Sequence, residues 1–248
     1  MTDSPASEQT MTDHLGELRI RLIWIAWILL GGFVACYGFS EKIFDFIRAP
    51  ILPYLPANDK GLHFTGVFEK FMAHVKVSFL AGVIFTSPLW LYQVWKFIAP
   101  GLYVKEKRYA LGFIFSGILL FVGGAAFAYW IVFPFAFKFL LTFGGEIDKP
   151  IITINEYLDF VFKFFLAFGV TFELPVILTF LGIMGLIDHK FLSKNRRWAI
   201  VIMAVVAAVI TPPDAISMLS LLAPLVLLYE LSVVLVRIFG QQKATSDF

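Results

Sequence analysis

The chain is short of charge and of cysteine. Only 15% of its 248 residues are Asp, Glu, Lys or Arg; a soluble domain carries about a quarter. In their place stand 59% hydrophobic residues, 29 of them phenylalanine, and the mean hydropathy is +0.83. Lipid solvates such a composition. A single cysteine, Cys36, excludes an internal disulfide and any cysteine-rich metal centre. The four histidines, His14, His63, His74 and His189, are scattered without ligand spacing, so no metal or other cofactor is expected. A net charge of +2 is too small to imply a nucleic-acid partner. There is no phosphate-binding glycine loop and no Ser–His spacing of a hydrolase, so an enzyme is not expected. The first ten residues carry only Asp3 and Glu8 as charges. A basic n-region is missing there, and no cleavable secretion signal is read. Cys36, within "FVAC", reads as a buried thiol rather than a lipoprotein processing site.

Long apolar runs supply the organisation. A membrane-spanning helix needs about 20 mostly apolar residues. Runs at 20–40, 70–97, 109–133, 156–185, 198–211 and 215–236 meet or approach that length. Pro88 and Pro175 are the expected kink points. The fifth run is short, and "TPPD" turns the chain back after it. Lys and Arg mark orientation. Arg19 and Arg21, then Lys105, Lys107 and Arg108, then Lys190, Lys194, Arg196 and Arg197, then Arg237 and Lys243 fall in loops on one side. The expected fold is therefore an all-α integral membrane protein. Six transmembrane helices cross, the last two short, and both termini face the cytoplasm. A polar tail (1–10), one six-helix membrane domain (11–236) and a cytoplasmic tail (237–248) follow from the same pattern.

Between the runs, residues 41–69 contain "RAPILPYLP", whose three prolines predict a rigid, extended connection. The aromatic-rich stretch within 134–155 is predicted to lie along the outer interface. No internal repeat or low-complexity segment is evident.

Some charges fit no connecting role. "MTDHLGELRIRL" places Leu15, Leu18 and Leu22 at helical spacing and Glu17 four residues before Arg21. Glu17 therefore either pairs within its own helix or is available to a partner. Glu106 lies among Lys105, Lys107 and Arg108, where it either neutralises those bases or recognises a cation. Two carboxylates beside the membrane suit guanidinium groups, which donate two parallel hydrogen bonds. Glu173 lies within the fourth apolar run, where an ionisable group is costly and marks function or a buried bond. Pro175 leaves a carbonyl free that a protonated Glu173 could reach. Lys76 and Lys163 can snorkel towards the outer interface. Asp214, after two prolines, suits a helix cap.

Five stretches resemble, in order, the motifs of the large multispanning subunit of the twin-arginine protein translocase, the TatC family. They are "HLGELRIRL", "FIAPGLYVKEKR", the positions Phe121, Gly124, Phe127, Tyr129, Pro134 and Phe139, then "AFGVTFELPV" and "ITPPDAIS". The resemblance implies a receptor that binds twin-arginine signal peptides of folded passenger proteins. It further implies six helices forming a concave wall, and export driven by the proton motive force. It places signal binding on Glu17 and Glu106, with Arg19, Lys105 and Arg108 shaping the site. It assigns Glu173 to contact with small single-span subunits of the TatA and TatB type. Pro50, Phe97, Pro100, Tyr129, Pro134 and Asp214 become structural or outer-face motif positions. It implies homo- and hetero-oligomers in the bacterial cytoplasmic membrane. Met218 and Val104 depart from common family residues. Two other readings of the same acids stand beside this one. One is a proton-coupled small-molecule transporter using Glu173; the other is a membrane scaffold with no transport role.

Overall fold

The structure is a computed structural model. It describes residues 11–55, 61–98, 110–142, 151–211 and 214–240, excluding the side chains of residues 11–14, 98 and 110. The expected cytoplasmic-loop residues Pro100, Val104, Lys105, Glu106 and Arg108 lie outside the described residues.

Helices make up the described chain, apart from turns and one isolated parallel bridge between His63 and Thr153. Helix α1 (Met11–Tyr37) is followed by a short amphipathic α2 (Ser40–Arg48) and a 3₁₀ turn over Leu52–Tyr54. A bent pair comes next, α3 (Glu69–Phe85) and α4 (Ser87–Ile98), and then α5 (Ala110–Phe127). A π-helical turn, Ala128–Val132, joins α5 to α6 (Phe133–Thr142). The chain closes with α7 (Ile154–Phe172), α8 (Leu174–Ile183), α9 (His189–Lys194), α10 (Arg196–Ile210) and α11 (Ala215–Phe239).

Four of these stretches are long and apolar enough to cross a membrane: Leu15–Tyr37, Leu111–Thr142, Ile154–Ile183 and Ala215–Phe239. The pair α3 and α4, bent by 57°, makes a fifth if taken as one broken span. The bend falls at Thr86, two residues before Pro88. The Thr86 hydroxyl bonds back to the Gly82 carbonyl at 2.7 Å, and the proline ring prevents a straight continuation. Helix α10 has 15 residues, which is about 22 Å of rise against a hydrocarbon core of about 30 Å.

Two connecting segments differ from the sequence expectation. The proline-rich 41–69 region is not simply extended. Ile43 and Ile47 lie four apart on α2, with Ile47 buried, so helical periodicity decides the stretch before the prolines; within the proline motif Pro50 lies in a turn and Ile51 is buried after it. Pro53 then sits in the first turn of the 3₁₀ segment, a position where its missing N–H costs nothing. The aromatic 134–142 stretch does not lie flat as a separate element. It prolongs the third span to 32 residues. Pro134 is tolerated because the preceding turn is π-helical, with the Phe133 N–H reaching Ala128 O. The wider turn makes room where a proline ring would otherwise clash.

Helix ends follow local chemistry. Thr153, Asp188 and Asp214 cap α7, α9 and α11, accepting from the N–H groups of Glu156, Phe191 and Ser217 at 3.2, 2.6 and 2.6 Å. The cap expected at Asp214 is therefore present. Asp214→Ala is expected to lower stability by about 1 kcal/mol, with Asp214→Ser retaining most of it, as read from thermal melts in detergent. Helix α8 ends in a Schellman turn. Gly185 takes φ +69°, and Leu186 N donates to Leu181 O at 3.1 Å.

Close helix contacts depend on missing side chains, as in membranes, where small residues let backbones approach. A Cβ on Gly82 of α3 would lie 2.8 Å from Phe33 N of α1. A Cβ on Gly124 of α5 would lie 2.5 Å from Phe168 O of α7. Around the α5–α7 contact sits an aromatic core of Phe121, Phe133, Phe164 and Phe168, all almost fully buried. Helix α1, by contrast, packs on α3 and α4 but leaves Trp24, Trp27 and Val34 exposed.

At the end of the bundle carrying α2, side chains tie the connections down. Tyr129 donates to Phe46 O at 2.7 Å and stacks on the Phe46 ring, while Tyr157 donates to Ile47 O at 2.5 Å. These hydroxyls satisfy carbonyls at the α2 terminus that the helix itself leaves free. Glu69 accepts from Thr65 N, Thr65 Oγ1, Gly66 N and Asn155 N. Lys76 bonds Asp159 at 2.7 Å and Asn155 at 3.3 Å. The polar groups of Lys76 are thus met by protein partners.

Candidate functional site

A polar groove opens between the first turns of α1 and the last turns of α4. It is lined by Gly16, Glu17, Ile20, Arg21, Trp24, Gln93 and Lys96 and has a volume of about 740 Å³. Helical spacing builds it. Glu17, Arg21 and Trp24 rise along one face of α1, and Gln93 and Lys96 do the same on α4.

Glu17 is paired. Arg21 Nε donates to Glu17 Oε1 at 3.0 Å, and a terminal guanidinium nitrogen reaches the same oxygen. The other terminal nitrogen donates to Gln93 Oε1 at 3.3 Å, joining α1 to α4. The intrahelical pairing read from the 17–21 spacing is present, but tertiary structure adds a partner from 72 residues away. The Glu17 side chain is 28% exposed and that of Arg21 13%, so the acid is the more open of the two. Lys96 lies over the Tyr92 ring at 5.9 Å. The described lining thus holds one acid against two bases. By itself it does not attract a cation, and a second acid is needed to reverse its sign.

Arg19 is not brought to this groove. It is exposed and lines a shallow apolar depression of α1 with Leu15, Leu18 and Leu22. Phe97 lies one turn beyond Gln93 on α4, partly buried. Sequence reading passed over Arg21, Gln93 and Lys96 as site members. The i, i+4 spacing of Glu17 and Arg21 was visible, whereas the approach of α4 was not.

Glu173 occupies a different place, the break between α7 and α8. It is 7% exposed, and Oε1 has no hydrogen-bond partner among the described residues. The expected bond to a carbonyl freed by Pro175 is not among the hydrogen bonds of the described residues. Gly117 of α5 makes the space. A Cβ there would sit 3.0 Å from both Glu173 Oε2 and Trp95 Nε1 of α4. Trp95, Phe113 and Phe180 form an aromatic wall next to it. An unsatisfied carboxyl in apolar surroundings is costly unless a partner meets it. Tyr129 and Pro134 hold the structural positions described above. Pro50 is partly buried in the turn after α2. Met218 packs against the core.

The family model described as Sec-independent protein translocase protein (TatC) matches residues 13–224. The chain belongs to the TatC family. It is 44% identical over 237 residues to the TatC protein of Desulforapulum autotrophicum, covering 95% of this chain and 87% of that one. It is 39% identical to the TatC protein of Carboxydothermus hydrogenoformans across 100% of this chain and 99% of that one. A crystal structure titled twin arginine translocase receptor TatC superposes with a TM-score of 0.81 at 38% identity, covering 91% of this chain and 99% of that one. Membership makes this chain a multi-pass component of the Sec-independent translocase, a protein-transport family rather than an enzyme family.

Proposed function

We propose that this TatC protein is the signal receptor and core subunit of a twin-arginine translocase in the bacterial cytoplasmic membrane. In this reading six segments cross the bilayer, with α10 as the short fifth, and both termini face the cytoplasm. The groove between α1 and α4 then opens on the cytoplasmic side. Consecutive arginines of a signal peptide are held by Glu17 and by Glu106 from the loop joining α4 to α5, with Lys105 and Arg108 excluding diffusely basic peptides. Arg19 borders the site from the other side of α1. Glu173 meets the small TatA- and TatB-type subunits within the membrane, and assembly into homo- and hetero-oligomers supplies the path for folded passengers. The proton motive force drives passage.

The observation that carries the reading is Glu17 in an open polar groove whose remaining described charges are both basic. Such a groove becomes a guanidinium site only if the neighbouring loop supplies Glu106. Charge-assisted hydrogen bonds contribute about 1.5–3 kcal/mol each. Two of them, about 3–6 kcal/mol, at best offset the low end of the cost of association, about 4–15 kcal/mol, and leave no surplus for tight binding, so the apolar stretch of the signal must also dock. The test is photocrosslinking in native membranes from a probe beside the signal arginines. The wild-type crosslink is expected to fall at least about tenfold in Glu17→Ala and in Glu106→Ala, and to vanish in the double variant. A wild-type crosslink in the folded double variant would overturn the assignment. Proton-coupled uptake that needs Glu173 but neither of the other acids would favour a small-molecule transporter.

A further inference from the structure

Arg21 stands where the ligand's arginine should go. It donates twice to Glu17 Oε1, and its remaining terminal nitrogen is fixed by Gln93 on the neighbouring helix. It is nearly buried, while Glu17 is twice as exposed. Glu17 Oε2 accepts no hydrogen bond among the described residues. Lys96 also lines the groove, adding a second base. One oxygen of the acid is therefore already taken by a guanidinium, and a second cation weakens the field at the other.

We propose that Arg21 is a specificity-determining residue of the signal site, a resident guanidinium that makes Glu17 selective for an incoming guanidinium over an ammonium. The proposal rests on the reading of Glu17 as part of the signal site. An arginine presents a planar fork of five N–H donors on a weakly hydrated cation. It can take Oε2 with one nitrogen and compete for Oε1 with another. A lysine presents a strongly hydrated point charge that must be stripped of water to make one contact, against two resident cations. Gln93 sharpens the effect by holding Arg21 in place, so that the resident fork does not swing away. A structural ion pair alone would also link Glu17 to Arg21, but it would not discriminate between ligands.

The test uses the full chain in nanodiscs and two synthetic signal peptides that differ only in having consecutive arginines or consecutive lysines. Wild type is expected to bind the arginine peptide at least about tenfold more tightly, the worth of one lost charge-assisted contact. In Arg21→Gln the preference is expected to fall below about threefold, chiefly because the lysine peptide binds better once both oxygens of Glu17 are open. Gln93→Leu keeps the ion pair but frees Arg21 from α4, and is expected to lower the preference without abolishing it. Should Arg21→Gln fail to fold, the Gln93 variant carries the test alone. An unchanged preference in the folded variants would overturn the proposal, as would an equal loss of both peptides. Glu17→Gln separates the two levels. If it binds both peptides like wild type, the site assignment itself fails. If it loses them while Arg21→Gln still discriminates fully, only the role of Arg21 fails.

Discussion

Gly124→Leu is expected to force α5 and α7 apart and to cost about 3 kcal/mol or more, the upper range for overpacking a tight core. A Cβ at this position would lie 2.5 Å from Phe168 O and 2.9 Å from the Phe172 ring. Backbone carbonyl atoms do not yield as a flexible side-chain end would. The helix must move, and with it Phe168, which is completely buried against Phe127, Phe164 and Phe172. Gly123, one residue earlier, would meet nothing within 4 Å. Gly123→Leu is therefore the control and is expected to melt close to wild type in detergent. Equal melting temperatures for the two variants would show that the α5–α7 contact does not depend on its missing side chain.

Glu173→Leu is expected to separate stability from export. The wild-type carboxyl is buried with one oxygen unpartnered. Removing such a group relieves a desolvation cost of about 1–3 kcal/mol. The variant in isolation is expected to melt at a higher temperature than wild type. In membranes with the small subunits present, it is expected to lose nearly all export, since the proposed function gives the carboxyl its partner there. Natural proteins keep unsatisfied polar groups where function needs them. A variant that is less stable than wild type would show that the carboxyl is satisfied within this chain. One that exports normally would remove Glu173 from the partner contact.

The apolar runs located four helices long and apolar enough to cross a membrane together with the broken α3–α4 pair, and Pro88 located the bend of that pair, because hydropathy and the missing proline N–H act locally. The Asp214 cap and the Glu17–Arg21 pair were equally legible, each lying within four residues. Connections fared worse. The prolines of "RAPILPYLP" suggested extension, yet Pro50 lies in a turn and Pro53 in a 3₁₀ segment. The aromatics after Pro134 suggested an interfacial segment, yet a π turn carried the helix past the proline to Thr142.

The sequence by itself determined a lipid-solvated, helical chain with a few charges placed where water or a partner must meet them, and its ordered motifs indicated the TatC family. Only the tertiary structure decided which of those charges face one another. Gln93 reaches Arg21 because α4 bends at Thr86 and returns to α1. Glu173 is left with an unmet oxygen because Gly117 gives it room without giving it a donor. Contacts of this kind join residues dozens of positions apart. Their geometry depends on helix crossings that close packing fixes to within an ångström, and no local pattern records it.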